Sequence, residues 1–174
     1  MTTVYLVRHG ETIDNARRIM QGQTQGQLNE NGIQQAKELG QRLADMHFDA
    51  YVSSDLQRSI ETCRLVVGSE KQVPIVTTKL LRERDWGSFT GMFIPELANL
   101  NDPSKWPDDI ETLEELKQRA AKFLEWIKRE YPDKVVLAVG HGIINKAVQS
   151  VFYGKPMNEI AVMKNADVRI LKIE

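Results

Sequence analysis

Two short apolar runs constrain this chain more than anything else in it. Val4–Val7 leads directly into Arg8-His9-Gly10, and Val135–Val139 leads directly into Gly140-His141-Gly142. The second run is β-branched and aliphatic almost throughout, as expected of a strand covered on both faces. In open α/β sheets, ligands bind just beyond the carboxyl ends of the strands. If both runs are central and parallel, the two imidazoles meet at that edge. The glycines beside them let backbone approach a ligand closely. A helix starting after Gly142 would offer free N–H groups and a positive dipole end to an anion.

The rest of the 174 residues fits such a sheet. Ile33, Ala36, Leu39, Leu43 and Met46 recur at three- and four-residue spacing, predicting a one-faced helix capped by Asn29. Leu56, Ile60, Cys63 and Val67 mark another, and Leu113, Leu116, Ala120, Phe123, Leu124 and Ile127 a third that ends before Tyr131-Pro132. Ala50–Ser53, Val73–Val76 and Val168–Ile173 read as further strands, the last at an edge. Alternating strands and helices predict an α/β three-layer sandwich with a mostly parallel central sheet and helices on both faces, in one domain over residues 1–174. Residues 91–110 have no period and read as a loop or lid with a short helix.

The net charge of −1 and the lack of any basic block argue against a nucleic-acid or membrane-surface partner. No segment approaches the ~20 apolar residues of a membrane span, and a cytoplasmic location is the default expectation. The single cysteine, Cys63, gives neither a disulfide nor metal-site spacing and reads as a buried helix residue. No aspartate cluster suggests a metal. His47, in a helix-to-strand connection, reads as structural.

Arginine matches the charge and shape of phosphate oxygens with a rigid fork of donors. Arg8 stands beside His9, and Arg58 opens the helix after the Ala50–Ser53 strand. Each residue alone has a plainer reading: a turn histidine, a solvated arginine, or, for Glu83, an ion pair with Arg82 or Arg84. The ordered set of motifs outweighs these. VYLVRHGETIDN at 4–15, Gln21-Gly22, LNENGIQQA at 28–36, SSDLQRSIET at 53–62, LRERDWGSFTG at 81–91 and AVGHGIINKAV at 138–148 together span nearly the whole chain. In that order they resemble the histidine phosphatase superfamily, the phosphoglycerate-mutase-like enzymes, in its small bacterial-type phosphatase branch.

The resemblance implies a phosphatase without a cofactor that acts on a small phosphorylated metabolite through a phosphohistidine on His9. Arg8, Arg58 and His141 would hold the phosphoryl oxygens, Asn15, Gln21 and Gly22 would line the phosphate pocket, and the Gly142 amide would add a donor. Glu83 would protonate the departing oxygen and later accept a proton from water. His9 must be neutral to attack, and the two arginines would disfavour its protonated form. Two departures stand out. Ile110-Glu111-Thr112 replaces a common Gly-Glu-Ser element, which puts that element's substrate contact in doubt, and Gln25-Gly26-Gln27-Leu28 replaces Asp-x-Pro-Leu in an entry loop.

Three other functions fit the same residues: a mutase that moves phosphoryl between two oxygens of one substrate, a protein phosphohistidine phosphatase, and a protein that only binds phosphorylated ligands. The short 91–110 stretch favours water as acceptor over a sealed mutase site. The Glu83 segment speaks against the phosphohistidine phosphatase, whose leaving group needs no acid. Selectivity is expected from 91–110, where Phe93, Lys105 and Trp106 could reach a leaving group, although packing against the sheet edge suits Trp106 as well. Monomer and homodimer are both compatible with the sequence.

Overall fold

The computed structural model describes residues 1–174, and its sheet explains why the two histidine-bearing runs are so apolar. Five strands, β1 (Thr2–Arg8), β2 (Ala50–Ser54), β3 (Ile75–Thr78), β4 (Val135–Gly140) and β5 (Val168–Ile173), lie in the order β3-β2-β4-β1-β5. β1 and β4 are parallel neighbours at the centre, and β2 and β3 continue the parallel run. β5 closes the far edge antiparallel to β1, as its position in the chain suggests. Its Arg169 and Lys172 are residues of the kind that discourage edge-to-edge pairing.

Successive side chains of a strand face opposite sides, so a central strand needs apolar residues at every position. Val4 and Leu6 of β1 and Val136 and Ala138 of β4 meet one layer, formed by α4 (Leu113–Glu130) and α5 (Gly142–Tyr153). Val7 of β1 and Leu137 and Val139 of β4 meet the other, where α2 (Glu30–Arg42) supplies Ala36 and Leu39 and α3 (Gln57–Val67) supplies Cys63 and Val66. The arrangement is the expected α/β sandwich with helices on both faces. Cys63 is buried, and burial pushes its thiol pKa up to about 12.

Helix ends follow local chemistry. Asn29 caps α2 by accepting from the Gly32 N–H, and Thr112 caps α4 by accepting from the Glu115 N–H. The apolar period overruns both helices slightly, since Met46 lies past the end of α2 and Leu113 is exposed on the first turn of α4. A five-residue helix, α1 (Ile13–Arg17), stands within the polar stretch that follows β1 and was not expected there. Residues 91–110 form a loop whose regular structure is two short 3-10 turns, Ile94–Glu96 and Pro103–Lys105, where a loop with one short helix was expected. No helix is long and apolar enough to cross a membrane.

Candidate active site

The rung that pairs Arg8 of β1 with Gly140 of β4 sets the next residue of each strand side by side. His9 and His141 therefore meet at the carboxyl edge of the sheet, with ring centroids 5.0 Å apart. All the predicted site residues except His141 line one cavity of about 450 Å³, and His141 lies fully buried beside it.

His9 is held in one tautomer. Its Nδ1 lies 2.6 Å from the Gly10 carbonyl oxygen, a contact that assigns the proton to Nδ1 and leaves the Nε2 lone pair free. Its carbonyl accepts from Asn165 Nδ2 at 3.0 Å and from the Ala166 N–H at 3.3 Å. Burial, with Arg58 and Arg8 adding repulsion, pulls its pKa down to about 3 against the opposing Gly10 hydrogen bond. The arginines act in the expected direction, and dehydration of the ring is the larger cause. His141 is likewise shifted well below the ordinary value, first by burial and then by Arg58. Its Nε2 lies 2.7 Å from Ser54 Oγ and 3.0 Å from Ser59 Oγ, so a hydroxyl donating there places the ring proton on Nδ1.

Arg8 donates from one terminal nitrogen to the Met163 carbonyl at 2.6 Å. Arg58 donates to the carbonyls of Gly22, at 2.7 Å, and Thr24. Burial lowers both guanidinium pKa values, that of Arg58 to about 10, and the Glu83 carboxylate opposes the shift in each. Arg8 Nε, Arg58 Nε and His141 Nδ1 are each buried with no hydrogen-bond partner. Buried donors are ordinarily satisfied. Three orphans from residues around one histidine make a cradle suited to an oxyanion.

The glycines open this cradle. A Cβ on Gly142 would lie 3.2 Å from the Arg8 guanidinium carbon, and Gly22 adopts φ +52° while its carbonyl holds Arg58. Asn15 and Gln21 reach the cavity but are partly committed to structure. Asn15 Oδ1 accepts from the Thr12 N–H in the capping box of α1, and Gln21 Oε1 accepts from the Thr12 hydroxyl at 2.9 Å.

Glu83 changes one expectation. The start of α5 is not a free anion site, because its amides donate to Glu83: Ile143 N–H to Oε2 at 3.1 Å and Ile144 N–H to Oε1 at 3.0 Å. Arg84 N–H also donates to Oε1, at 2.9 Å. The carboxylate thus caps a helix that has no side-chain cap of its own, leaving the Gly142 amide for an incoming anion. The plainer ion-pair reading of Glu83 fails here. Arg82 makes a two-pronged pair with Asp55, while Arg84 stacks over Trp86 and Trp106 and donates to the Glu111 carbonyl.

Several supporting residues escaped the sequence reading. Arg119 of α4 donates to the carbonyls of Leu80 at 3.1 Å, Arg82 at 2.5 Å and Glu83 at 3.3 Å, and pairs with Glu111 at 2.7 Å. Glu111 in turn accepts from the Asp85 N–H at 2.9 Å. The Ile110-Glu111-Thr112 element therefore braces the segment that carries Glu83. Trp106 packs on Trp86 and Phe89 over the cavity, not against the sheet edge. Lys105 points away to Asp102, Phe93 lies under Arg18 outside the cavity lining, and exposed His47 sits 3.4 Å from Asp49. No three His, Cys, Asp or Glu residues gather in a way that could hold a metal ion.

Comparison with known proteins points one way. The family model for the histidine phosphatase superfamily, branch 1, matches residues 4–174. The "uncharacterized phosphatase PhoE" of Bacillus subtilis is 36% identical over 171 residues, 95% of this chain and 86% of that one. The metal-independent phosphoserine phosphatase of Arabidopsis thaliana is 30% identical over 161 residues, 85% of this chain and 67% of its own. Among solved structures, Bacillus stearothermophilus YhfR superposes with a TM-score of 0.92 at 29% identity, covering 100% of this chain and 92% of that one.

Proposed function

The chain belongs to the histidine phosphatase superfamily and is a phosphoric monoester hydrolase, and from that premise we propose that it hydrolyses a small phosphorylated metabolite through a phosphohistidine on His9. The observation that carries this reading is the free Nε2 of a buried, neutral His9 set among the orphaned donors of Arg8, Arg58 and His141.

In the first step His9 Nε2 attacks phosphorus and forms the P–N bond as the ester P–O bond breaks, and the departing oxygen takes a proton from Glu83. Arg8, Arg58, His141 and the Gly142 amide hold the equatorial oxygens while charge redistributes. In the second step water attacks phosphorus, gives its proton to Glu83, and releases inorganic phosphate from a neutral His9. Two arginines supply the positive charge these two steps need, and neutral His141 and the Gly142 amide add donors. Val162, which lines the same cavity as His9, is 67% exposed, so the cavity opens to solvent. That access favours hydrolysis over mutase transfer, and Glu83 gives an acid for alkoxide leaving groups that a phosphohistidine phosphatase would not need.

Phosphate release from 4-nitrophenyl phosphate and a panel of metabolites, with EDTA present, tests the reading. Turnover by the native chain that disappears in His9→Ala is expected. Undiminished turnover in His9→Ala, or none in either protein, would overturn it.

A further inference from the structure

Beyond the phosphate cradle the same cavity changes character. Its outer walls are Ile19, Trp86, Ile94, Leu100, Trp106 and Val162. Such walls offer few partners for a leaving group rich in hydroxyls, whose burial without hydrogen bonds is unfavourable. They suit an apolar body.

One charge interrupts this lining. Lys146 of α5 lies one turn past Gly142 on the same face of the helix, and long helical side chains lean back toward the N-terminus, here toward the cavity mouth. The other charged groups of the cavity have tasks: Arg8 and Arg58 are bound to carbonyls and turned to the cradle, and Glu83 is held by three amides. Lys146 is half-buried and forms no ion pair with any acidic residue. A partly dehydrated ammonium without a protein partner is suited to an anion brought by the ligand. A single lysine balances a monoanion. The phosphoryl dianion, by contrast, meets two arginines, a histidine and an amide.

We propose that Lys146 forms a subsite for a carboxylate on the substrate's leaving group, so that the favoured substrates are phosphomonoesters with an apolar body that ends in a carboxylate. The assignment rests on the phosphatase reading above and refines it.

Hydrolysis of four compounds built on one ring tests it: phenyl phosphate, 4-carboxyphenyl phosphate, 4-(aminomethyl)phenyl phosphate and 1,4-phenylene bisphosphate. The native chain should favour the carboxylate over phenyl phosphate, and phenyl phosphate over the cation, chiefly through KM. Lys146→Gln should reduce the carboxylate-to-phenyl ratio of kcat/KM by about 5-fold, the worth of a modest ion pair. Lys146→Glu should favour the cation. A lysine that only balanced the charge of Glu83 would move all four substrates alike, so ratios that stay fixed across the variants would overturn the subsite. A preference for the bisphosphate would overturn the carboxylate assignment. Failure to hydrolyse any of the four would instead sink the phosphatase reading, and the subsite with it.

Discussion

His9 and His141 face each other across the β1–β4 pair with ring centroids 5.0 Å apart, and neither ring has a carboxylate hydrogen-bonded to it. Each is held neutral mainly by burial, with cationic arginines nearby. A pair of imidazoles so placed suits the proposed nucleophilic attack and hydrogen-bond donation to an anion, and it sets a cost on acidification.

That cost is measurable. Both native pKa values lie below the ordinary 6.5, so between pH 6.5 and about 3 the unfolded chain binds more protons than the native one through His9. Stability must therefore fall as pH drops through this window, and His141 adds to the fall. Urea unfolding at pH 7.5 and pH 5.0 should show His9→Asn losing about 2 kcal/mol less than the native chain. Identical losses would mean that His9 is not held neutral.

The proposed acid role of Glu83 and its observed cap on α5 can be separated by substitution. Glu83→Gln should lower kcat/KM for an alkyl phosphate by on the order of 100-fold or more, and far less for 4-nitrophenyl phosphate, whose leaving group needs little protonation. Glu83→Ala should in addition lose about 1 kcal/mol of stability, because the Ile143 and Ile144 amides lose their cap. An equal loss of kcat/KM on both substrates would remove Glu83 from the acid role.

Arg119 and Glu111 are mostly buried, with side chains 17% and 12% exposed. Arg119→Ala leaves the Glu111 carboxylate and three carbonyls without this partner, and should destabilise the fold by about 3 kcal/mol. The alkyl phosphate rate should fall with it, since Arg119 holds the backbone that carries Glu83. A stable Arg119→Ala protein with an unchanged ratio between alkyl and 4-nitrophenyl substrates would contradict this bracing role.

These residues also mark where the sequence stops being legible. The sheet could be read because two-sided burial forces an unbroken apolar run, and the histidines could be read because they end such runs. Arg8 and Arg58 were found by their motifs. Arg119 could not be found this way: on an amphipathic helix an arginine at its position looks solvated, and its partners at Leu80, Arg82 and Glu83 are main-chain carbonyls that carry no sequence signal. The cap that Glu83 places on α5 joins segments 60 residues apart, and neither has a periodicity that announces the contact. Ser54 and Ser59 lie inside SSDLQRSIET, but a serine hydroxyl is identified as a histidine partner only by geometry. Lys105 stands in the irregular loop where selectivity is expected, whereas the fold turns Lys105 to Asp102 and sets Lys146, unmarked on an apolar helix, in the cavity lining.

Trapping the covalent intermediate tests the central claim most directly. With 4-nitrophenyl phosphate, Glu83→Gln should phosphorylate quickly and dephosphorylate slowly, because departure of the phenolate needs little acid while attack by water needs the base. After an alkaline quench, peptide mass spectrometry should find one phosphoryl group on His9, acid-labile as a phosphoramidate is, and none in the His9→Ala, Glu83→Gln double variant. Release of 4-nitrophenol with no phosphoryl group on His9, or with the group on another residue, would contradict the account.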